Sequence, residues 1–181
     1  MNNTILLIVG ASGTGKTTVA NTLSKMFGMK QIQSYTTRPP RYEGEKGHIF
    51  VTDEEFNRLE KLVAYTEYGD YRYCATTDQV EENDIYVIDP DGVEYFKNVY
   101  PGEKTIKLVY LFNTRSVRFN RMLDRGDTFA DVVKRLEQDD EIFSKERSDE
   151  LIAMFDKRNV LRMPNMNKMT TVEKIVAFLN E

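Results

Sequence analysis

Eight consecutive residues, Gly10-Ala11-Ser12-Gly13-Thr14-Gly15-Lys16-Thr17, have the types and spacing to hold a polyphosphate. They fit G-x-x-x-x-G-K-[ST], a loop whose glycines let backbone N–H groups turn inward around phosphate oxygens. A helix starting where the loop ends adds partial positive charge. Lys16 has the reach for the β- and γ-phosphates, and the Thr17 hydroxyl suits Mg²⁺. Such a loop needs a strand before it and a helix after it. The apolar run 5–9 supplies the first, and Val19, Leu23, Met26 and Phe27 recur at helical spacing behind it. Residues 10–18, Thr18 included, are therefore expected to cradle the phosphates of a donor nucleotide.

A second anion site follows. Ser34-Tyr35-Thr36-Thr37-Arg38-Pro39-Pro40-Arg41 places two guanidinium forks three apart among hydroxyls, which suits a dianionic phosphate. The prolines rule out helix there and keep the chain extended. Taken alone, Arg38 and Arg41 read equally well as solvated surface charges. Asp89 ends an apolar run, as a carboxylate that orients water on Mg²⁺ would. It is also a fitting start for a turn through Pro90-Asp91-Gly92.

The elements that must position these groups follow from periodicity. Apolar runs at 5–9, 29–33, 85–88, 106–112 and 160–163 are continuous rather than alternating, as in a parallel sheet covered on both faces. Helical patterns lie between them. Thr52 and Glu55 form a capping box for a helix to about Leu62, and Thr170 and Glu173 form another for a last helix. Residues 116–124 and 130–143 read as a charged helical arm. The expectation is α/β: a five-stranded parallel sheet flanked by helices with right-handed crossovers, a small insertion at about 34–80 and a helical lid at about 115–147. All 181 residues form one domain, its core at about 1–33, 81–114 and 156–181. The insertion is rich in tyrosine, glycine and charge, a composition suited to substrate contacts.

Composition narrows the partners. Net charge is −4, so no global basic field draws nucleic acid. The N-terminal apolar run is too short for a signal peptide or a membrane span, and a single cysteine excludes an internal disulfide. A cytoplasmic protein, monomer or homodimer, with no membrane partner is expected. Cys74 reads as a small packing residue.

The run Ser-x-Thr-Thr-Arg-x-Pro-Arg resembles the substrate-phosphate motif of guanylate kinases. Further pieces fall in family order. Gly69-Asp70-Tyr71-Arg72-Tyr73 is similar to the family's Gly-Asn-Tyr-Tyr segment with one residue added, and 87–92 to its strand ending in an acidic residue and glycine. Arg121-Met122-Leu123-Asp124-Arg125-Gly126 and Arg135-Leu136 resemble its lid. The likeness runs from about residue 5 to 140. It implies a P-loop kinase that passes a phosphoryl group from ATP, with Mg²⁺, to a nucleoside monophosphate, most simply GMP or dGMP.

Carried over by position, Ser34, Arg38 and Arg41 would hold the acceptor phosphate, with Tyr73 beside them. A second phosphate-binding tyrosine of the family falls on His48, which taken alone reads equally well as an ordinary turn residue. Asp89 would face the nucleobase and the metal. Lys16, Arg121, Arg125 and Arg135 would stabilise charge on the moving group. Arg121 and Arg125 are like charges one helical turn apart, which suits an anion between them. The family's guanine-reading glutamate falls here on Val63 or Ala64, with Glu67 and Asp70 near but out of register. Three rivals stand beside this reading. One is a kinase of the same fold with a different phosphorylated acceptor. Another is a non-catalytic binding module of guanylate-kinase type. The third is a GTPase, for which Asn167-Lys168-Met169-Thr170 is a partial base motif.

Overall fold

The computed structural model describes residues 3–40 and 42–181, and Tyr68 by its backbone alone. In chain order the elements are β1 (Thr4–Val9), α1 (Lys16–Phe27), β2 (Ser34–Thr36), β3 (His48–Phe50), α2 (Asp53–Phe56), β4 (Leu62–Tyr68), β5 (Tyr71–Thr76), α3 (Thr77–Glu82) and β6 (Ile85–Val87). Then come α4 (Pro90–Val99), β7 (Thr105–Phe112), α5 (Arg115–Asp124), α6 (Phe129–Ile142), α7 (Lys145–Ala153), a 3-10 turn (Lys157–Asn159), β8 (Val160–Pro164) and α8 (Lys168–Leu179).

The continuous apolar run of β1 becomes the centre of a parallel sheet ordered β6-β1-β7-β8. Its side chains divide by parity, and residues 5–9 are all fully buried. Ile5, Leu7 and Val9 pack with Val93 and Phe96 of α4, Leu151 of α7, and Val63, Ala64 and Ala75. Leu6 and Ile8 pack on the other face with Val19, Ala20 and Leu23 of α1 and Val172, Ile175 and Phe178 of α8. A strand buried on both faces cannot alternate apolar with polar, which is why the run is unbroken. Each such side chain contributes about 2 kcal/mol of burial free energy.

The expected fifth strand at 29–33 is corrected. Gln31 makes one isolated parallel bridge with Ile85, flanked by the Ile32 N–H to Ile85 oxygen bond at 2.8 Å. The chain then leaves to pair Ser34 with His48 in a different sheet, so the edge never lengthens. Four strands form the parallel sheet among the described residues. The second sheet, ordered β3-β2-β5-β4, lies wholly within residues 34–76.

Three local expectations also shift. The Thr52 capping box forms, but its helix stops at Phe56 rather than near Leu62. Phe56 is buried, Lys61 adopts a left-handed φ of 54°, and Leu62 already pairs with Thr76, burying Val63 and Ala64. Pro90-Asp91-Gly92 is not a turn but the first turn of α4, with Pro90 set for a helix start and Asp89 as N-cap. The last helix begins at Lys168, capped by Asn167, three residues before the predicted cap Thr170. The arm at 115–142 matches its expectation within a residue and has its own small core of Met122, Val132 and Leu136. No helix among the described residues is long and apolar enough to cross a membrane.

Candidate active site

β1 and β6 are parallel neighbours with Ile8 opposite Val87, so the loop after β1 and Asp89 after β6 emerge side by side. The chain places β6 on one side of β1 and β7 on the other, and ligand crevices form at the carboxyl ends of strands at such a reversal. A cavity of about 570 Å³ opens there. The loop and Lys16 form one end; Ser34, His48, Thr66, Glu67, Tyr73 and Tyr86 form the other. Asp131, Lys134, Arg135, Gln138, Asp139 and Ile142 cover it, a spacing that puts one face of α6 over the opening.

At the loop end, two glycines are required. Gly13 has φ +77°, and a Cβ there would meet the Arg118 backbone oxygen at 2.6 Å. Gly15 caps α1 at φ +89°, and a Cβ would meet the Asn165 amide nitrogen at 2.5 Å. Neither position tolerates a side chain. Lys16 curls back so that its ammonium donates to the Gly10 and Ala11 carbonyl oxygens. Burial lowers its pKa from 10.5 to about 8, against the opposing pull of Asp139 and with help from Arg118 and Arg125. The Thr14 hydroxyl donates to the Ala11 oxygen at 2.7 Å, and the Asn165 amide to the Thr14 oxygen at 2.8 Å, so the loop is braced from both sides. Thr17 and Thr18 open α1 with exposed side chains.

At the far end, pairing of β2 with β3 sets Ser34 opposite His48, and Ser34 Oγ lies 2.8 Å from His48 Nδ1. The His48 ring packs edge-on against Tyr73 with centroids 5.8 Å apart. Tyr86 contacts Ser34, and burial pushes its hydroxyl far above the ordinary tyrosine value, so it stays neutral. Arg38 is buried behind this group, beside Tyr73. Its fork grips Glu45 at 2.8 and 3.2 Å and the Pro39 oxygen at 3.0 Å. The Glu45 hydrogen bond, ahead of the opposing cost of burial, raises its pKa. Its buried Nε has no hydrogen-bond partner among the described residues. Arg41 lies outside the described residues.

Between the two ends, Asp89 Oδ1 accepts from the Gly92 N–H at 2.7 Å and Oδ2 from the Thr66 hydroxyl at 3.3 Å. Burial foremost, then the Asp91 charge, raises its pKa despite these bonds. Of the four base-reading positions considered from sequence, Glu67 lines the cavity and accepts from the Tyr65 hydroxyl. Val63 and Ala64 are core residues, and Asp70 sits exposed at the hairpin tip.

The arginines divide. Arg135 lines the cavity. Arg121 turns instead to the frame, donating to the Asn165 oxygen at 2.7 Å, to Asn113 Oδ1 at 3.2 Å and to the loop oxygens of Gly13 and Thr14 at 3.4 Å. Arg125 is half exposed and forks onto Asp127. Carbonyls and a carboxylate thus already serve the two like charges. Sequence reasoning missed Thr66, Tyr86 and Asp139. Asp139 is four residues from Arg135 on the same helix face, a spacing that could have flagged it. Asn167, the candidate base-motif residue of the GTPase reading, spends its side-chain oxygen on the Met169 and Thr170 amides.

Hard oxygen donors at Thr17 and Asp89 flank the loop and suit Mg²⁺, which typically takes one or two protein ligands and completes its shell from substrate phosphates and water. Among the described residues no cluster of three or more His, Cys, Asp or Glu could hold a metal alone. A metal bound here would rest chiefly on nucleotide phosphate, where it would neutralise developing charge.

The guanylate kinase family model matches residues 2–145. A guanylate kinase of Neisseria gonorrhoeae is 34% identical over 144 residues, covering 72% of this chain and 69% of that protein. A guanylate kinase of Nitrosomonas europaea is 29% identical over 143 residues, covering 72% and 70%. In fold, the chain superposes on a crystal structure of guanylate kinase from Anaplasma phagocytophilum with a TM-score of 0.69 at 21% identity, over 98% of this chain and 85% of that one. A gluconokinase from Sinorhizobium meliloti 1021 gives 0.56 at 17% identity, over 98% and 92%.

Proposed function

Because the chain belongs to the guanylate kinase family and is an ATP-dependent nucleoside monophosphate kinase, we propose that its acceptor is a guanine nucleotide, GMP or dGMP, phosphorylated with Mg²⁺ present. One observation carries the reading: a single cavity has the Lys16 loop at one end and the Ser34–His48–Tyr73 group with Glu67 at the other. The acceptor phosphate docks on Ser34, His48, Tyr73 and the spare Nε of Arg38. Glu67 and Asp89 are carboxylates, acceptor-only when ionised, and guanine presents N–H donors at N1 and N2. Glu67 thereby stands in for the family glutamate whose position is Val63 or Ala64 here.

An oxygen of the acceptor phosphate attacks the γ-phosphorus of ATP. The bond to the β,γ-bridging oxygen breaks, and ADP leaves with that electron pair. Lys16 and Arg135 stabilise charge on the equatorial oxygens, and α6 over the cavity keeps water from accepting the group. Arg121 ties α5 to the loop, while Arg125 pairs with Asp127 where α5 ends.

A coupled ADP-release assay across GMP, dGMP, AMP, CMP and UMP tests the acceptor. Turnover confined to the guanine nucleotides is expected. Glu67→Gln should raise the GMP KM at least roughly tenfold, because an amide nitrogen would then face guanine donors. Preference for AMP, or a GMP KM untouched by Glu67→Gln, would reject the guanine assignment.

A further inference from the structure

Ser12, inside the phosphate loop, is gripped at both ends by the lid. Its N–H donates to Asp139 Oδ2 at 2.8 Å, and its carbonyl oxygen accepts from Arg118 Nε at 3.0 Å. Arg118 Nη2 donates to the same Asp139 oxygen at 2.7 Å. The two side chains keep only 9% and 10% of their surface exposed. Asp139 also lines the cavity, close enough to Lys16 to favour its charged form. A carboxylate therefore stands on a loop N–H, beside the lysine that meets the β- and γ-phosphates. One N–H carries one hydrogen, and two anions cannot share it without repulsion.

Resting on the donor-site reading above, we propose that Asp139 is a built-in stand-in for the terminal phosphate and that Arg118 is a phosphate-binding arginine masked by it. A triphosphate displaces the carboxylate and takes over both the Ser12 N–H and the Arg118 fork. A diphosphate ends one phosphate short and leaves the pair in place. A mere brace between α5 and α6 would need no contact with the loop amide. Asp140, 3.8 Å from the other Arg118 nitrogen, is placed to balance the guanidinium while Asp139 is displaced. The lid thus registers whether the donor still has its third phosphate. Once transfer leaves ADP, Asp139 returns to the loop.

The test compares binding of ADP and of a non-hydrolysable ATP analogue, each with Mg²⁺, by calorimetry on the full chain and two variants. The readout is the ratio of the two Kd values within one protein, which cancels general effects on stability. Asp139→Asn keeps an oxygen for the Ser12 N–H and removes the charge; it should shift the ratio roughly tenfold toward the triphosphate analogue. Arg118→Leu should shift it roughly tenfold the other way. Should Arg118→Leu fail to fold, Arg118→Lys keeps the charge, loses the fork and should shift the ratio in the same direction. A ratio unchanged in either variant, with both nucleotides affected alike, overturns the proposal and leaves the pair a structural brace. If the unaltered protein bound neither nucleotide, the donor-site reading itself would fall.

Discussion

Lys16 shows most directly how one residue's surroundings set behaviour. Burial brings its pKa to about 8, and phosphate needs the cation. Above that pH the free protein holds a neutral amine, so donor kcat/KM should fall about tenfold per pH unit. A donor profile flat to pH 9.5 would show that the amine stays charged. Linkage runs the other way for stability. Between about pH 8 and 10.5 the unfolded chain retains a proton that the folded one has lost, so this residue favours folding more as pH rises. The local motifs were legible at this scale: Lys16, Ser34, His48, Tyr73, Asp89 and Arg135 all reach one cavity. Thr66 was not, because what brings it in is pairing to Tyr73, which leaves no mark in local spacing, and Asp139 was marked only by its i,i+4 spacing from Arg135.

Asp89 joins an element to the chemistry. It caps α4 through the Gly92 N–H while its other oxygen faces Thr66 at the cavity. Asparagine caps a helix as well as aspartate does, whereas alanine loses about 1 kcal/mol. Asp89→Asn should therefore keep the melting temperature and lose most turnover, and Asp89→Ala should lose both. Equal melting curves with full activity in Asp89→Asn would confine the residue to capping. Element types were largely readable, because β1 and β7 are nearly unbroken apolar runs and the paired helices α5 and α6 carry helical periodicity. Boundaries failed where tertiary contacts outweigh local signals. The Thr52 box was real, yet Val63 and Ala64 were more use to the second sheet than to a longer helix. The run at 29–33 met a neighbouring strand for a single bridge before Ser34 was drawn elsewhere.

Across the whole molecule the cores are separate. Two clusters sandwich the parallel sheet, and the lid rests on its own trio of Met122, Val132 and Leu136. Leu136→Ala removes about 2–5 kcal/mol of packing from that trio. Amide hydrogen exchange should then speed up across residues 115–142 while β1 and β7 stay slow, and kcat should drop with little change in the main unfolding transition. Uniform acceleration throughout the chain would mean that the lid and sheet open as one unit. The second sheet has a different gauge of its motions. Cys74 is the chain's sole cysteine, fully buried on β5 between Tyr35 and Tyr65, with its thiol pushed up to about 12 by burial. An alkylating reagent can reach that sulfur only when the strands part. Its rate of labelling is thus a natural clock for breathing of the acceptor half, readable by mass without adding any probe.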